Sequence, residues 1–168
     1  MTVKLGTRAA TVSGRIPDEL VASSVFLLKR LGTAAKQKAV DAYEEAGLSP
    51  YHHGILALLD EGGVRETQGA IADALGYDRG TLVGLLDELE AEHFVERRRD
   101  PVDRRRHIVR LTPEGKRALE RLRRVARRVE DEFLAGLDDE QRAALHELLL
   151  RLASTHEPRC AGPVEPPA

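Results

Sequence analysis

Between residues 67 and 112 the spacing of apolar residues changes period, and this change limits what the chain can build. Thr67 offers an N-cap hydroxyl to a short helix over about Gln68 to Leu75, and Gly76 suits the left-handed residue that ends it. Asp78 caps a second helix, whose Leu82, Leu85, Leu86 and Leu89 fall on one face at helical spacing. Beyond it the pattern turns to strands, Phe94-Val95-Glu96-Arg97 and His107-Ile108-Val109-Arg110-Leu111. Asp100-Pro101-Val102-Asp103 supplies the turn between them.

Helix, tight turn, helix and hairpin outline a winged helix-turn-helix. The expected fold class is mainly α with a small β-hairpin wing: a winged helix-turn-helix lobe plus a helical dimerisation region. With the leucines inward, Gly80, Gly84 and Asp87 point outward. Arg79 and Val83 lie on one flank, Thr81 and Glu88 on the other. A helix that enters a major groove needs small or hydrogen-bonding residues near its N-terminal end. Arg79, Gly80, Thr81, Val83 and Gly84 meet that need, and they are the candidate base-reading residues. Each glycine within a helix costs roughly 1 kcal/mol relative to alanine, so two on one outward face require a reason. Close approach to DNA is one.

The hairpin adds charge. Arg97, Arg98 and Arg99 precede the turn, and Arg104, Arg105 and Arg106 follow it. Two arginine runs facing each other across a hairpin repel unless an anion lies nearby, and phosphate is the obvious anion. An extended arginine at a wing tip also suits a narrow minor groove. The overall charge of −2 conceals this segregation: residues 97–128 hold 14 Arg/Lys and 4 Asp/Glu, a net +10, which leaves −12 on the rest of the chain. A protein with an acidic balance therefore still presents one basic face to nucleic acid.

Residues 1–15 have no sustained period and read as a flexible arm. Pro17, Asp18 and Glu19 suit the first turn of a helix that runs to about Ala46 and ends at Gly47. Ser49 and Pro50 open the next helix, which carries Tyr51, His52 and His53 and breaks at Glu61-Gly62-Gly63. Adjacent histidines sit ~100° apart on a helix, unlike the i, i+4 pairs that bind zinc. No metal and no cofactor is expected. Thr112-Pro113-Glu114 starts a long helix with the stripe Leu119, Leu122, Val125, Ala126, Val129 and Phe133, closed by Gly136. Arg117, Arg121, Arg124 and Arg128 share another of its faces, suited either to solvent or to phosphate. Asp138 to Gln141 resembles a capping box for a last helix striped by Leu145, Leu148, Leu149 and Leu152. The Pro-rich tail from Thr155 reads as disordered. The first, fifth and sixth helices of this count expose more apolar stripe than one small lobe covers. A two-fold homodimer is the simplest remedy, and it suits pseudo-palindromic DNA half-sites about one turn apart.

The runs LSPYHHGILALL, TQGAIADALGYDRGTLVGLLDELE and FVERRRDPVDRRRHIVRLTPEGKRAL resemble the MarR family of bacterial transcription regulators over roughly residues 20–155. The most specific part is Asp-Pro-x-Asp-Arg-Arg followed by an apolar-Val-x-Leu-Thr-x-x-Gly run. The resemblance implies a MarR-type domain over 16–155, with a winged helix-turn-helix over about 48–112. Dimerisation helices would span about 17–46 and 113–154, with 156–168 as a disordered tail. It implies a DNA-binding homodimer, most simply a repressor released by a small aromatic or lipophilic effector. By the same resemblance Asp103 orients Arg105, while Arg104 and Arg105 approach DNA. Tyr51, His52 and His53 become candidate effector-binding residues in the cleft between DNA-binding lobe and dimer base. Two positions depart from the common pattern. Glu88 stands where many relatives carry arginine. His93 stands where many carry glycine, in a turn that calls for positive φ.

Other classes fit less well. An architectural protein that coats DNA without sequence choice is compatible with the basic segment. A thiol-based oxidant sensor would need a reactive cysteine near the first helix, whereas Cys160 lies in the tail. No nucleophile elbow, phosphate-cradling glycine loop or metal-ligand cluster points to an enzyme. No apolar run approaches a membrane span, and no apolar core with a cleavage site opens the chain. A single cysteine forms no internal disulfide, so a cytoplasmic location is expected.

Overall fold

The structure, a computed structural model, describes residues 14–62, 67–101, 103 and 106–160. Two compact units divide between Lys36 and Gln37. The first contains α1, Asp18–Val21, and the N-terminal part of α2, Ser24–Glu44. The single helix expected from Pro17 to Ala46 is thus interrupted. Ser23 explains the break: its hydroxyl accepts the Phe26 N–H at 3.3 Å and caps a new helix. Ile16, Leu20, Val21, Val25, Leu27, Leu28 and Leu31 of this unit are all exposed, Val25 by 76%.

The second unit holds α3 (Pro50–Glu61), α4 (Gln68–Leu75), α5 (Arg79–Ala91), β1 (Val95–Arg99), β2 (His107–Leu111), α6 (Pro113–Phe133) and α7 (Asp139–His156). Ser49, Thr67, Asp78, Thr112 and Asp138 cap five of these helices through their side chains, as the sequence predicts. Gly76 ends α4 at φ 67, which lets the chain reverse within two residues and start α5. Ile55, Leu56, Ile71, Leu82, Leu86, Leu89, Val95, Val109, Leu119 and Leu122 form the core. It lies where α3, α4, α5, the hairpin and the first half of α6 converge. This is the mainly helical architecture with a two-stranded wing that the periodicity predicts.

The wing pairs antiparallel, Val95 with Leu111 through Arg99 with His107. That register corrects one expectation. Arg98 faces Ile108 and Arg99 faces His107, so the two arginine runs do not oppose each other. The strand begins at His107, which leaves Arg106 in the bend ahead of it. Thr67 bridges Ile108 and ties the entry to α4 onto the hairpin.

The joint between α5, β1 and α6 is close. The N–H groups of His93 and Phe94 reach back to the carbonyls of Glu90 and Leu89 in a Schellman closure. His93 is the residue in the left-handed conformation, at φ 59. Thr112 Oγ1 donates to the His93 carbonyl at 2.7 Å and accepts from the Gly115 N–H at 2.9 Å. A Cβ at Gly115 would lie 2.0 Å from the Phe94 carbonyl oxygen, so only glycine lets α6 start against this turn.

Toward its C-terminus α6 is less buried. Ala118, Leu119 and Leu122 are enclosed, whereas Val125, Ala126, Val129 and Phe133 are half-buried. It stops at Phe133, before the Gly136 expected to close it. On α7 no residue is buried, and Leu148, Leu149, Leu150 and Leu152 are exposed. The tail expectation is partly corrected: α7 continues through His156 and a 3-10 turn covers Pro158–Cys160. Residues 1–13 and 161–168, expected as parts of a flexible arm and a disordered tail, lie outside the described residues.

Candidate nucleic-acid interface

The open face of α5 begins at its cap. Asp78 accepts the N–H of Gly80 at 2.8 Å and of Thr81 at 3.0 Å. The Thr81 and Gly80 N–H groups hold its carboxyl below the usual aspartate range. Arg79, Gly80, Thr81, Val83 and Gly84 are all exposed. A Cβ at Gly84 would meet nothing within 4 Å, and one at Gly80 would meet only the Asp78 carboxylate. Packing therefore gives no reason for glycine at 84, and at 80 only the closeness of the capping carboxylate. Arg79 lies 3.9 Å from Asp73, a solvated pair that leaves its guanidinium accessible.

The wing arginines do not all share one task. Arg98 and Arg99 are exposed, Arg98 pairing with its neighbour Glu96 at 3.0 Å. Arg97 instead turns onto α5. Its Nε donates to Glu90 Oε2 at 2.9 Å and its Nη2 lies 2.6 Å from Asp87 Oδ1, while its backbone N–H donates to Glu90 Oε1. The guanidinium holds the Glu90 carboxyl below its ordinary range, chiefly by hydrogen bonding. Arg97, expected at phosphate, is thus an internal clamp between β1 and α5. The sequence did not disclose this because Glu90 and Asp87 pair with it across a turn. At the wing tip Asp103 pairs with Arg106 at 3.2 Å, the Asp100 N–H donates to the Arg106 carbonyl, and the Arg106 N–H donates to the Asp103 carbonyl. Arg104 and Arg105, expected to approach DNA, lie outside the described residues.

The candidate effector residues diverge. Tyr51 is exposed, its ring edge-on to Tyr77 at 5.3 Å. The His53 Nδ1 sits 2.5 Å from the Tyr43 hydroxyl on α2. His52 is buried. Its Nδ1 accepts the Ser49 N–H in the capping box of α3, which leaves the proton on Nε2. That Nε2 lies 2.9 Å from Glu88 Oε2 on α5, at ion-pair distance but outside hydrogen-bond angles. Burial lowers the pKa of both histidines, opposed by Glu88 at His52 and reinforced by Arg123 at His53. The three side chains are therefore not gathered into one cluster. Tyr43, Tyr77 and Glu88 are partners that helical spacing alone does not reveal. Among the described residues no group of His, Cys, Asp and Glu is placed to hold a metal ion. None of the described helices is long and apolar enough to cross a membrane.

The sequence pattern of the MarR family matches residues 46–106. A putative transcriptional regulatory protein for the hcr operon of Thauera aromatica is 34% identical over 146 residues, spanning 86% of this chain and 84% of that protein. The chain belongs to the MarR family. Solved structures agree with this. The transcriptional repressor CouR bound to a 23-mer DNA duplex is similar at TM-score 0.73 and 32% identity, over 84% of this chain and 99% of that one. CouR from Rhodococcus jostii RHA1 bound to p-coumaroyl-CoA is similar at TM-score 0.68 and 28% identity, over 87% and 98%. MarR proteins are non-enzymatic DNA-binding transcriptional regulators, and this chain is one of them.

Proposed function

We propose that this MarR protein is a homodimeric, sequence-specific repressor, which a small aromatic or lipophilic effector releases from a pseudo-palindromic operator. The observation that carries the reading is the open N-terminal face of α5, where Gly84 has no steric neighbour among the described residues and Gly80 has only the Asp78 cap that holds the helix start. Exposed Arg98 and Arg99 on the adjoining wing add the charge that phosphate requires. In this reading Arg79, Gly80, Thr81, Val83 and Gly84 meet base edges, while Arg98, Arg104, Arg105 and Arg106 meet the backbone. Likeness to CouR, a repressor solved with DNA and also with p-coumaroyl-CoA, supports both repression and an effector. The exposed apolar stripes of α2 and α7 support the dimer.

The test is binding of the purified protein to DNA from its own upstream intergenic region, against scrambled DNA of equal length, at near-physiological salt. Preference of about a thousandfold is expected for a specific regulator. Equal affinity for both would replace this reading with a sequence-tolerant architectural role. A panel of aromatic acids and aromatic acyl-CoA thioesters, added to the preformed complex, then tests release. Replacing Arg105 by Ala should lower both affinity and salt dependence; if neither changes, Arg105 has no part in the mechanism.

A further inference from the structure

The second half of α5 is unusually acidic for a helix that meets DNA. Asp87, Glu88 and Glu90 lie within one turn of it. Each has an internal partner. Asp87 and Glu90 take Arg97 of the wing, and Glu88 reaches His52 of α3. At ~100° per residue, Glu88 stands about 130° around the helix from the midpoint of the other two. The helix is therefore held on two flanks by its own acids, with the Gly80–Gly84 face between them.

The His52 end of this contact is rigid. The ring is 6% exposed, and the Ser49 N–H fixes its orientation through Nδ1. Only Nε2 remains to meet another group, and no hydrogen bond of good geometry satisfies it among the described residues. Glu88 Oε2 lies 2.9 Å from it, on a side chain two-thirds exposed. An acid so placed repels phosphate less when its carboxylate leans inward, and here that oxygen lies beside the buried His52 Nε2.

We propose that Glu88 and His52 form a positioning pair that sets the depth and rotation of α5, so that discrimination between DNA sequences, rather than general affinity for phosphate, depends on it. This rests on the regulator reading above. Sequence is read by atoms that must meet base edges within a few tenths of an ångström, whereas phosphate attraction tolerates displacement. Loss of the pair therefore affects the two kinds of binding differently.

Glu88→Ala is the decisive variant, because the residue is exposed on the folded helix and its removal leaves no cavity. Affinities for operator and scrambled DNA are measured over a series of salt concentrations. The proposal expects scrambled-DNA affinity to hold or rise as a negative charge leaves the face. Operator affinity falls, and the ratio drops by about tenfold, the size of coupling typical for contacting residues. Glu88→Gln, which keeps an acceptor at the same reach, recovers part of the ratio. His52→Gln added to Glu88→Ala brings no further loss if it folds, and Glu88→Ala stands alone if it does not. Imidazole NMR gives a readout that needs no DNA: Glu88→Ala should lower the measured His52 pKa, and amide exchange over Leu85–Glu90 should quicken. Both affinities rising together at a constant ratio would show an ordinary solvated acid and overturn the proposal, as would unmoved His52 resonances. A wild-type protein that fails to discriminate sinks the regulator reading and this role together. A discriminating wild type with an unchanged ratio in the variant sinks this role alone.

Discussion

At the scale of single residues, the most informative positions are those where the backbone tolerates one side chain and not another. His93 holds φ 59 in the closure between α5 and β1, a conformation that costs a non-glycine residue about 1 kcal/mol or more. His93→Gly should therefore raise the urea midpoint, by about 1 kcal/mol of unfolding free energy at unchanged m-value. Gly115 shows the opposite constraint. Gly115→Ala drives a methyl group into the Phe94 carbonyl and should lose about 2–3 kcal/mol by the same measurement. His52 and His53 add a pH dependence. Burial is the largest cause at each, and it lowers the folded-state pKa below the ordinary 6.5. The unfolded chain then binds protons that the folded one refuses. Stability is fully present above pH 6.5 and declines as pH falls below it toward the folded values. Urea melts at a series of pH values check this, and a melt that strengthens on acidification would contradict it.

At the scale of elements, the wing and α5 are one mechanical piece. Arg97 joins β1 to α5 with a guanidinium only 20% exposed, and a charge-assisted contact of this kind outweighs a surface pair. Arg97→Ala should lower thermal stability yet leave the salt slope of DNA binding unchanged, because this arginine is committed within the chain. Arg99→Ala should do the reverse, leaving stability intact and reducing the slope by about 0.9 if one phosphate contact is lost. Titrations of both variants between low and moderate salt separate the two cases. If Arg97→Ala reduces the slope and Arg99→Ala does not, their assigned tasks are interchanged. Three consecutive arginines look identical as letters. The position of Glu90 and Asp87 beside Arg97 divides them into one clamp and two exposed cations.

At the scale of the whole molecule, the exposed leucines of α2 and α7 are the features that a single chain leaves unsatisfied. Leu31 is 53% exposed and Leu148 56%, each within a longer apolar stripe. Such stripes mark association surfaces, and closed two-fold symmetry is the common solution. Leu31→Glu or Leu148→Glu should convert a dimer to a monomer in sedimentation at micromolar concentration. The same variants should lose most operator affinity while the helix-turn-helix lobe stays folded by circular dichroism. A wild-type chain that sediments as a monomer would remove both the dimer and the paired half-sites.

Much of this architecture was legible in the letters because local chemistry decides it. Caps at Ser49, Thr67, Asp78, Thr112 and Asp138, the glycine after α4 and the change of period at Phe94 are short-range effects, and helix starts follow from them. Short-range chemistry also placed the open face of α5, since four leucines on one side dictate what lies on the other. The break at Ser23 was missed because Leu20, Leu27 and Leu31 continue the stripe across it, and periodicity cannot see which carbonyls a hydroxyl displaces. What each charged group touches was beyond the sequence for a related reason. Arg97 meeting Glu90, His52 meeting Glu88 and His53 meeting Tyr43 are encounters between different elements. Their distances depend on how helices and hairpin pack around Leu86 and Val109. Sequence by itself determined that this chain carries a helix-turn-helix with a basic wing. Only the tertiary structure decided which of its charges face outward and which hold α5 in place.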